Sequence, residues 1–144
     1  MEVWQSTDGI FLGQGKYAVE ILNRFGMMDY KAMTTPKASN VKILIYASSE
    51  SVDATMYHRM IGSLMYLTNV RPDICFAVKT LSQYLTNPRS VHLTVAKHIL
   101  RYLKGTVDYG LKYDANQNIN LEGYVDSDWA GSALQGVASV WDHV

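Results

Sequence analysis

The sequence predicts an α+β fold, with an N-terminal β-hairpin and helix, a central antiparallel helical bundle and a C-terminal β-hairpin. Three observations carry this reading. Apolar residues recur at helical spacing from Lys16 to Phe25 and again in three stretches between residues 53 and 105. Val3 and Ile10-Phe11-Leu12 flank Asp8-Gly9, a common tight-turn pair. Tyr109–Tyr113 and Ile119–Val125 read as two strands joined by Ala115-Asn116-Gln117-Asn118.

Each element follows from its residues. The hairpin spans residues 2–13. In the first helix Tyr17, Ile21, Leu22 and Phe25 share a face, and Gly26 supplies the stop. Thr34-Thr35-Pro36 breaks the chain, and Val41–Ala47 reads locally as strand. Asp53 is placed to cap a helix running to Thr68, with Tyr57, Met60, Ile61, Leu64, Met65 and Leu67 as its apolar face. Pro72 suits the first turn of the next helix, whose stripe is Ile74, Ala77, Val78, Leu81, Tyr84 and Leu85. Ser90 is expected to cap a third, carrying Val91, Val95, Ile99, Leu100 and Leu103 and closed by Gly105. Short links between these three favour antiparallel packing.

Composition excludes several classes. At 48% hydrophobic and 18% charged, 144 residues can bury a core and do not resemble a disordered chain. A net charge of zero gives no bulk attraction to nucleic acid. The single cysteine, Cys75, rules out an internal disulfide, and its setting Ile74-Cys75-Phe76-Ala77-Val78 predicts a buried structural thiol. No stretch is long and apolar enough to span a membrane, and Met1–Ser6 lacks the pattern of a secretory signal. The expectation is an intracellular protein with no membrane partner.

Candidate chemistry is sparse. Gly13-Gln14-Gly15-Lys16-Tyr17-Ala18 fits G-x-G-x-x-A between a strand and a helix, the context of a dinucleotide site. The acid such a site needs about 20 residues on is missing, because Asp29 comes too early and Glu50 too late. A plain strand-to-helix turn is the better reading. His58, His92, His98 and His143 include no i, i+4 pair, so no metal site is expected. Lys97, Arg101 and Lys104 share a helical face with Arg89 nearby, which suits a solvated face first and weak phosphate contact second. Asp126 and Asp128, in Tyr124-Val125-Asp126-Ser127-Asp128-Trp129, could present two carboxylates to Mg²⁺, but two-metal hydrolysis needs a larger set.

Six ordered phrases resemble the copia-type retrotransposon polyprotein. They are Asp8–Leu12 through Lys16-Tyr17, Arg24–Met27, Ile61–Thr68, Arg71-Pro72-Asp73-Ile74, Leu100–Thr106 and Asp126–Gly131. The resemblance covers about residues 2–132. It implies that residues 1–52 are a primer-grip and thumb-like segment of reverse transcriptase, 53–106 a helical thumb or connection-like segment, and 107–132 the start of a ribonuclease H-like sheet, cut short. Residues 133–144 match nothing in that family. The resemblance also implies that Asp126 matches the first ribonuclease H carboxylate, that the catalytic palm lies upstream, and that the fragment is not an enzyme. No cofactor is expected, Mg²⁺ belonging only to a complete ribonuclease H-like site. Weak RNA or DNA contact through Arg89, Lys97, Arg101 and Lys104 would follow the parent polyprotein.

The chain also resembles proteins named as secreted RxLR-type effectors of plant-pathogenic oomycetes. That resemblance implies secretion into a host cell, action in its nucleus or cytoplasm, and a host protein as partner. The nearest match to the motif is Arg101-Tyr102-Leu103-Lys104, which the retrotransposon phrase already explains. A metal-dependent nuclease is the third and weakest alternative.

Overall fold

A computed structural model describes residues 1–36 and 50–115. The expected strand at 41–47, the strand at 119–125, Asp126, Asp128, His143 and the tail 133–144 lie outside these residues. The described elements are β1 (Glu2–Ser6), β2 (Gly9–Gly13), α1 (Gly15–Arg24), α2 (Ala54–Leu67), α3 (Pro72–Ser82), α4 (Ser90–Gly105) and β3 (Gly110–Asp114). The mixed α+β class is as the sequence predicts.

The hairpin forms one residue away from the expected turn. Ser6 pairs with Gly9, so Thr7-Asp8 is the loop and Gly9 opens β2. Gly9 has φ of 149°, and a Cβ there would lie 2.0 Å from the Tyr113 carbonyl oxygen, so only glycine fits.

The partner that the structure shows for β3 is β2, where the sequence paired Tyr109–Tyr113 with residues 119–125. β2 and β3 run antiparallel from Gly9↔Asp114 to Gly13↔Gly110, giving the order β1-β2-β3. Two side-chain facts favour this register. Val3, Leu12 and Leu111 line up on one face. At Gly110 a Cβ would stand 2.1 Å from the Leu12 carbonyl oxygen, so the strands meet through bare backbone. Local sequence shows strand character but not this partner, which arrives from about 100 residues away.

α1 ends as Gly26 predicts. With φ of 64°, Gly26 donates to the Asn23 carbonyl at 3.1 Å, and the Met27 amide reaches back to Leu22 at 2.8 Å. This is a Schellman closure, and Met27 seals it by burying its side chain. Asp53 caps α2 through a 2.8 Å bond from the Thr55 amide, and Pro72 opens α3.

Ser90 does not cap α4. It is the first helical residue, its amide is taken by the Glu50 carbonyl at 2.9 Å, and Arg89 stands at the cap position. The imidazole of His92 does the capping instead, with Nδ1 accepting the Arg89 amide at 3.0 Å. Its ring stacks on Tyr84 at 3.9 Å. Burial, and then the Arg89 charge, hold the His92 pKa below the usual imidazole range, so the neutral ring that can accept this bond is favoured.

α2 packs on α3 and α4, α3 packs on α4, and α1 also lies on α4. One buried cluster draws on all four helices, through Ile21 and Leu22 of α1, Tyr57, Ile61 and Leu64 of α2, Ile74 and Leu81 of α3, and Ile99, Leu100 and Leu103 of α4. Tyr57 is fully buried and gives its hydroxyl proton to the Leu81 carbonyl at 2.9 Å. Burial pushes its pKa upward, and the hydroxyl stays a donor.

Cys75 corrects the sequence reading, because it is exposed. Ile74, Val78 and Leu81 turn inward at helical spacing, while Cys75 and Phe76 point away and Phe76 is 70% exposed. A short all-apolar run carries no period, so the sequence could not say which part of it faced the core.

Candidate functional site

Among the described residues, a densely connected polar group sits where the start of α3 meets the end of α4. Arg71 precedes Pro72 and is 3% exposed. Its guanidinium grips Asp73 with two bonds, Nε to Oδ1 at 2.9 Å and Nη2 to Oδ2 at 2.7 Å. Nη1 donates to the Thr106 carbonyl at 2.9 Å and Nη2 to the Thr106 hydroxyl at 2.7 Å. That hydroxyl donates in turn to the Tyr102 carbonyl at 3.0 Å, and the Tyr102 phenol donates to Asp73 at 2.9 Å. The Tyr102 and Tyr109 rings flank the guanidinium carbon at 5.7 and 5.5 Å.

The polarity of this bracket suits both helices. Asp73 lies in the first turn of α3, where exposed amides favour negative charge. Arg71 donates to the Thr106 carbonyl at the end of α4, where unpaired oxygens favour positive charge. Partial burial works to raise the Asp73 pKa, but the hydrogen bonds from Arg71 and Tyr102 and the Arg71 charge outweigh it, and the net shift is downward. The Tyr102 phenol is moved upward by burial and by its bond to Asp73. The acid is therefore held ionised and the phenol protonated.

Sequence reading did not single out Arg71, Asp73, Tyr102 or Thr106 as a site. The available signal was that Arg71-Pro72-Asp73-Ile74 and Leu100–Thr106 are two of the six recognised phrases. The structure joins these two through the Arg71–Thr106 hydrogen bonds.

The basic face that the sequence did single out has a local occupant. Arg101 Nε donates to the Lys31 carbonyl at 2.7 Å and Lys104 Nζ to the Tyr30 carbonyl at 2.8 Å. His98 Nε2 lies 2.9 Å from the Thr35 carbonyl, and the Met33 amide donates to Arg101 at 3.2 Å. Residues 30–35 are thereby laid along α4. Lys97 lies one to two turns before these groups, whereas Arg89 is at the other end of α4, about 20 Å from Lys104 along the axis. The four residues do not form one cluster.

Gly13-Gln14-Gly15 forms the turn from β2 into α1, as the simpler sequence reading has it. Among the described residues no group of three or more His, Cys, Asp or Glu side chains could hold a metal ion. Among the same residues no helix is long and apolar enough to cross a membrane.

Comparison with known proteins decides the kinship. The chain is 41% identical over 85% of its length to the retrovirus-related Pol polyprotein from transposon RE1 of Arabidopsis thaliana. It is 37% identical over 91% of its length to that from transposon RE2 of the same plant. Homologues at 37–41% identity over 85–91% of the chain include Pol polyproteins of copia-type retrotransposons. The chain spans 8% and 9% of those two Pol polyproteins. It is also 43% identical over 52% of its length to the secreted RxLR effector protein 161 of Plasmopara viticola, and that match covers 54% of the effector. No protein-family model and no solved structure matches the chain. The α3–α4 bracket is thus built from phrases by which the chain resembles a retrotransposon Pol polyprotein.

Proposed function

We propose that this chain is a non-catalytic fragment of a copia-type retrotransposon reverse transcriptase and ribonuclease H polyprotein, and that its helical unit is a scaffold. In this reading residues 1–52 are primer-grip and thumb-like, 53–106 are thumb or connection-like, and 107–132 begin a ribonuclease H-like domain. The α3–α4 bracket is the observation that carries the scaffold role. Residues of two recognised phrases are consumed in bracing helices, with Arg71 spending its bonds on Asp73 and Thr106. Any phosphate contact would use donors on Arg101 and Lys104 beyond the one each gives to residues 30–31, together with Lys97 and, further off, Arg89.

The test is an activity assay on the purified chain with Mg²⁺. Neither extension of a primed template nor cleavage of an RNA–DNA hybrid is expected. Cleavage that disappears on Asp126→Asn would show a working carboxylate site and overturn the proposal.

A second reading, a secreted effector acting on a host protein, is favoured by one observation, the match to the Plasmopara viticola protein. Its discriminating test is expression in plant cells. Suppression of a defence response by the chain, lost when the α3–α4 bracket is broken, would support this reading over an inert fragment.

A further inference from the structure

A cleft of about 680 Å³ opens between one face of the sheet and the start of α1. Register puts Glu2 opposite Gly13 and Trp4 opposite Phe11, so all four share that face. The Trp4 and Phe11 rings lie 5.5 Å apart, tilted by 46°. Val19 and Val107 complete the apolar wall, and Asp108 adds a second acid. The glycines of the G-x-G turn keep this space open. A Cβ on Gly13 would press on Trp4 at 3.1 Å and Phe11 at 3.2 Å, and one on Gly15 would sit 3.6 Å from Glu2 Oε2.

The polar atoms of the cleft ask for a donor. Glu2 Oε1 is buried and, among the described residues, has no hydrogen-bond partner. Its ion-pair partner among the described residues is Lys16 Nζ at 3.8 Å, beyond hydrogen-bond reach, on a side chain 92% exposed. Gln14 is 3% exposed, and its Oε1 likewise has no partner among the described residues. It lines an adjoining recess of about 390 Å³ shared with Glu2, Lys16, Tyr17 and Glu20. Buried acceptors of this kind cost free energy until a donor meets them.

This chemistry is wrong for the phosphate that a G-x-G turn suggests, since acids line the cleft and its lysine faces solvent. We propose that the cleft is a binding site for a guanidinium group, presented as an arginine side chain by a partner protein. A guanidinium is planar and weakly hydrated, stacks on aromatic faces and carries five N–H donors. One such group can lie on Trp4 and donate to the Glu2 carboxylate. A compact, strongly hydrated ammonium fits this combination less well.

The experiment titrates acetyl-arginine amide into the full chain while recording tryptophan fluorescence, with Trp4→Phe to identify the Trp4 signal. A saturable change is expected, with acetyl-lysine amide binding more weakly. Glu2→Gln should weaken binding at least about tenfold, the effect of losing about 1.4 kcal/mol, and Lys16→Ala should strengthen it by removing a competing cation. Circular dichroism confirms that each variant is folded. If Glu2→Gln does not fold, Asp108→Asn serves in its place and should also weaken binding. No saturation, unchanged affinity in a folded Glu2→Gln (or in Asp108→Asn where it replaces it), or tighter binding of a mononucleotide than of acetyl-arginine amide would each overturn the proposal.

Discussion

Arg71→Ala is expected to destabilise the chain by about 3 kcal/mol, measured as a shift in the urea unfolding midpoint at unchanged slope. Removing one partner of a buried ion pair typically costs about 3–5 kcal/mol, because the remaining charge is left uncompensated. The lower end applies here because Asp73 keeps 32% of its side-chain surface in water. The loss should exceed that of Lys112→Ala. Lys112 also pairs with an acid, Asp114 at 2.7 Å, but its side chain is 65% exposed, and surface pairs of that kind contribute little. Equal effects from the two substitutions would mean that the bracket is ornamental.

The second large effect is local. Gly110→Ala should remove the amide protection of Leu111 and Tyr113, the β3 residues whose amides face β2, while leaving α2 and α4 protected, as read by hydrogen exchange. The added Cβ would meet the Leu12 carbonyl oxygen at 2.1 Å and the Phe11 ring at 2.8 Å, and a strand partner's backbone cannot yield as a flexible side chain can. The strand must part or slide, and a one-residue slip would turn Leu111 away from Val3 and Leu12. Unchanged exchange across β3 would refute the close approach of these backbones.

Much of the helical architecture is legible in the chain because helices are specified locally. The apolar stripe of α2 (Met65 excepted, which is 49% exposed), the Asp53 cap, Pro72 at the start of α3 and Gly26 at the end of α1 each act within a turn or two of themselves. What failed to show depends on distant groups. Ser90 looks like a cap until the Glu50 carbonyl claims its amide, and His92 then takes over through a buried ring stacked on Tyr84. Cys75 lies in an apolar run with no period, so its exposure is decided by where α2 and α4 pack. The strand at 110–114 is readable as a strand, but its pairing with β2 is a contact between opposite ends of the described chain.

The site shows the same division. Lys97, Arg101 and Lys104 do share one face of α4, as their spacing requires. Nothing in that spacing reveals that residues 30–35 lie along it and take bonds from Arg101 and Lys104. The Arg71 bracket was visible only as wording. Its members are 35 residues apart in Arg71 and Thr106, and no periodicity links them. The chain's resemblance to retrotransposon Pol polyproteins flagged these phrases, and the packing of α3 against α4 supplies their physical reason.

A double-mutant cycle between Arg71→Met and Thr106→Val tests most directly whether these shared phrases brace the fold. Unfolding free energies of both single variants and the double variant give the coupling between two residues that meet at 2.7 Å. The bracket predicts a coupling of about 1 kcal/mol or more, since contacting residues in one hydrogen-bond network typically couple by about 0.5–3 kcal/mol. Simple additivity, within about 0.3 kcal/mol, would contradict it and leave the two phrases without a shared structural role.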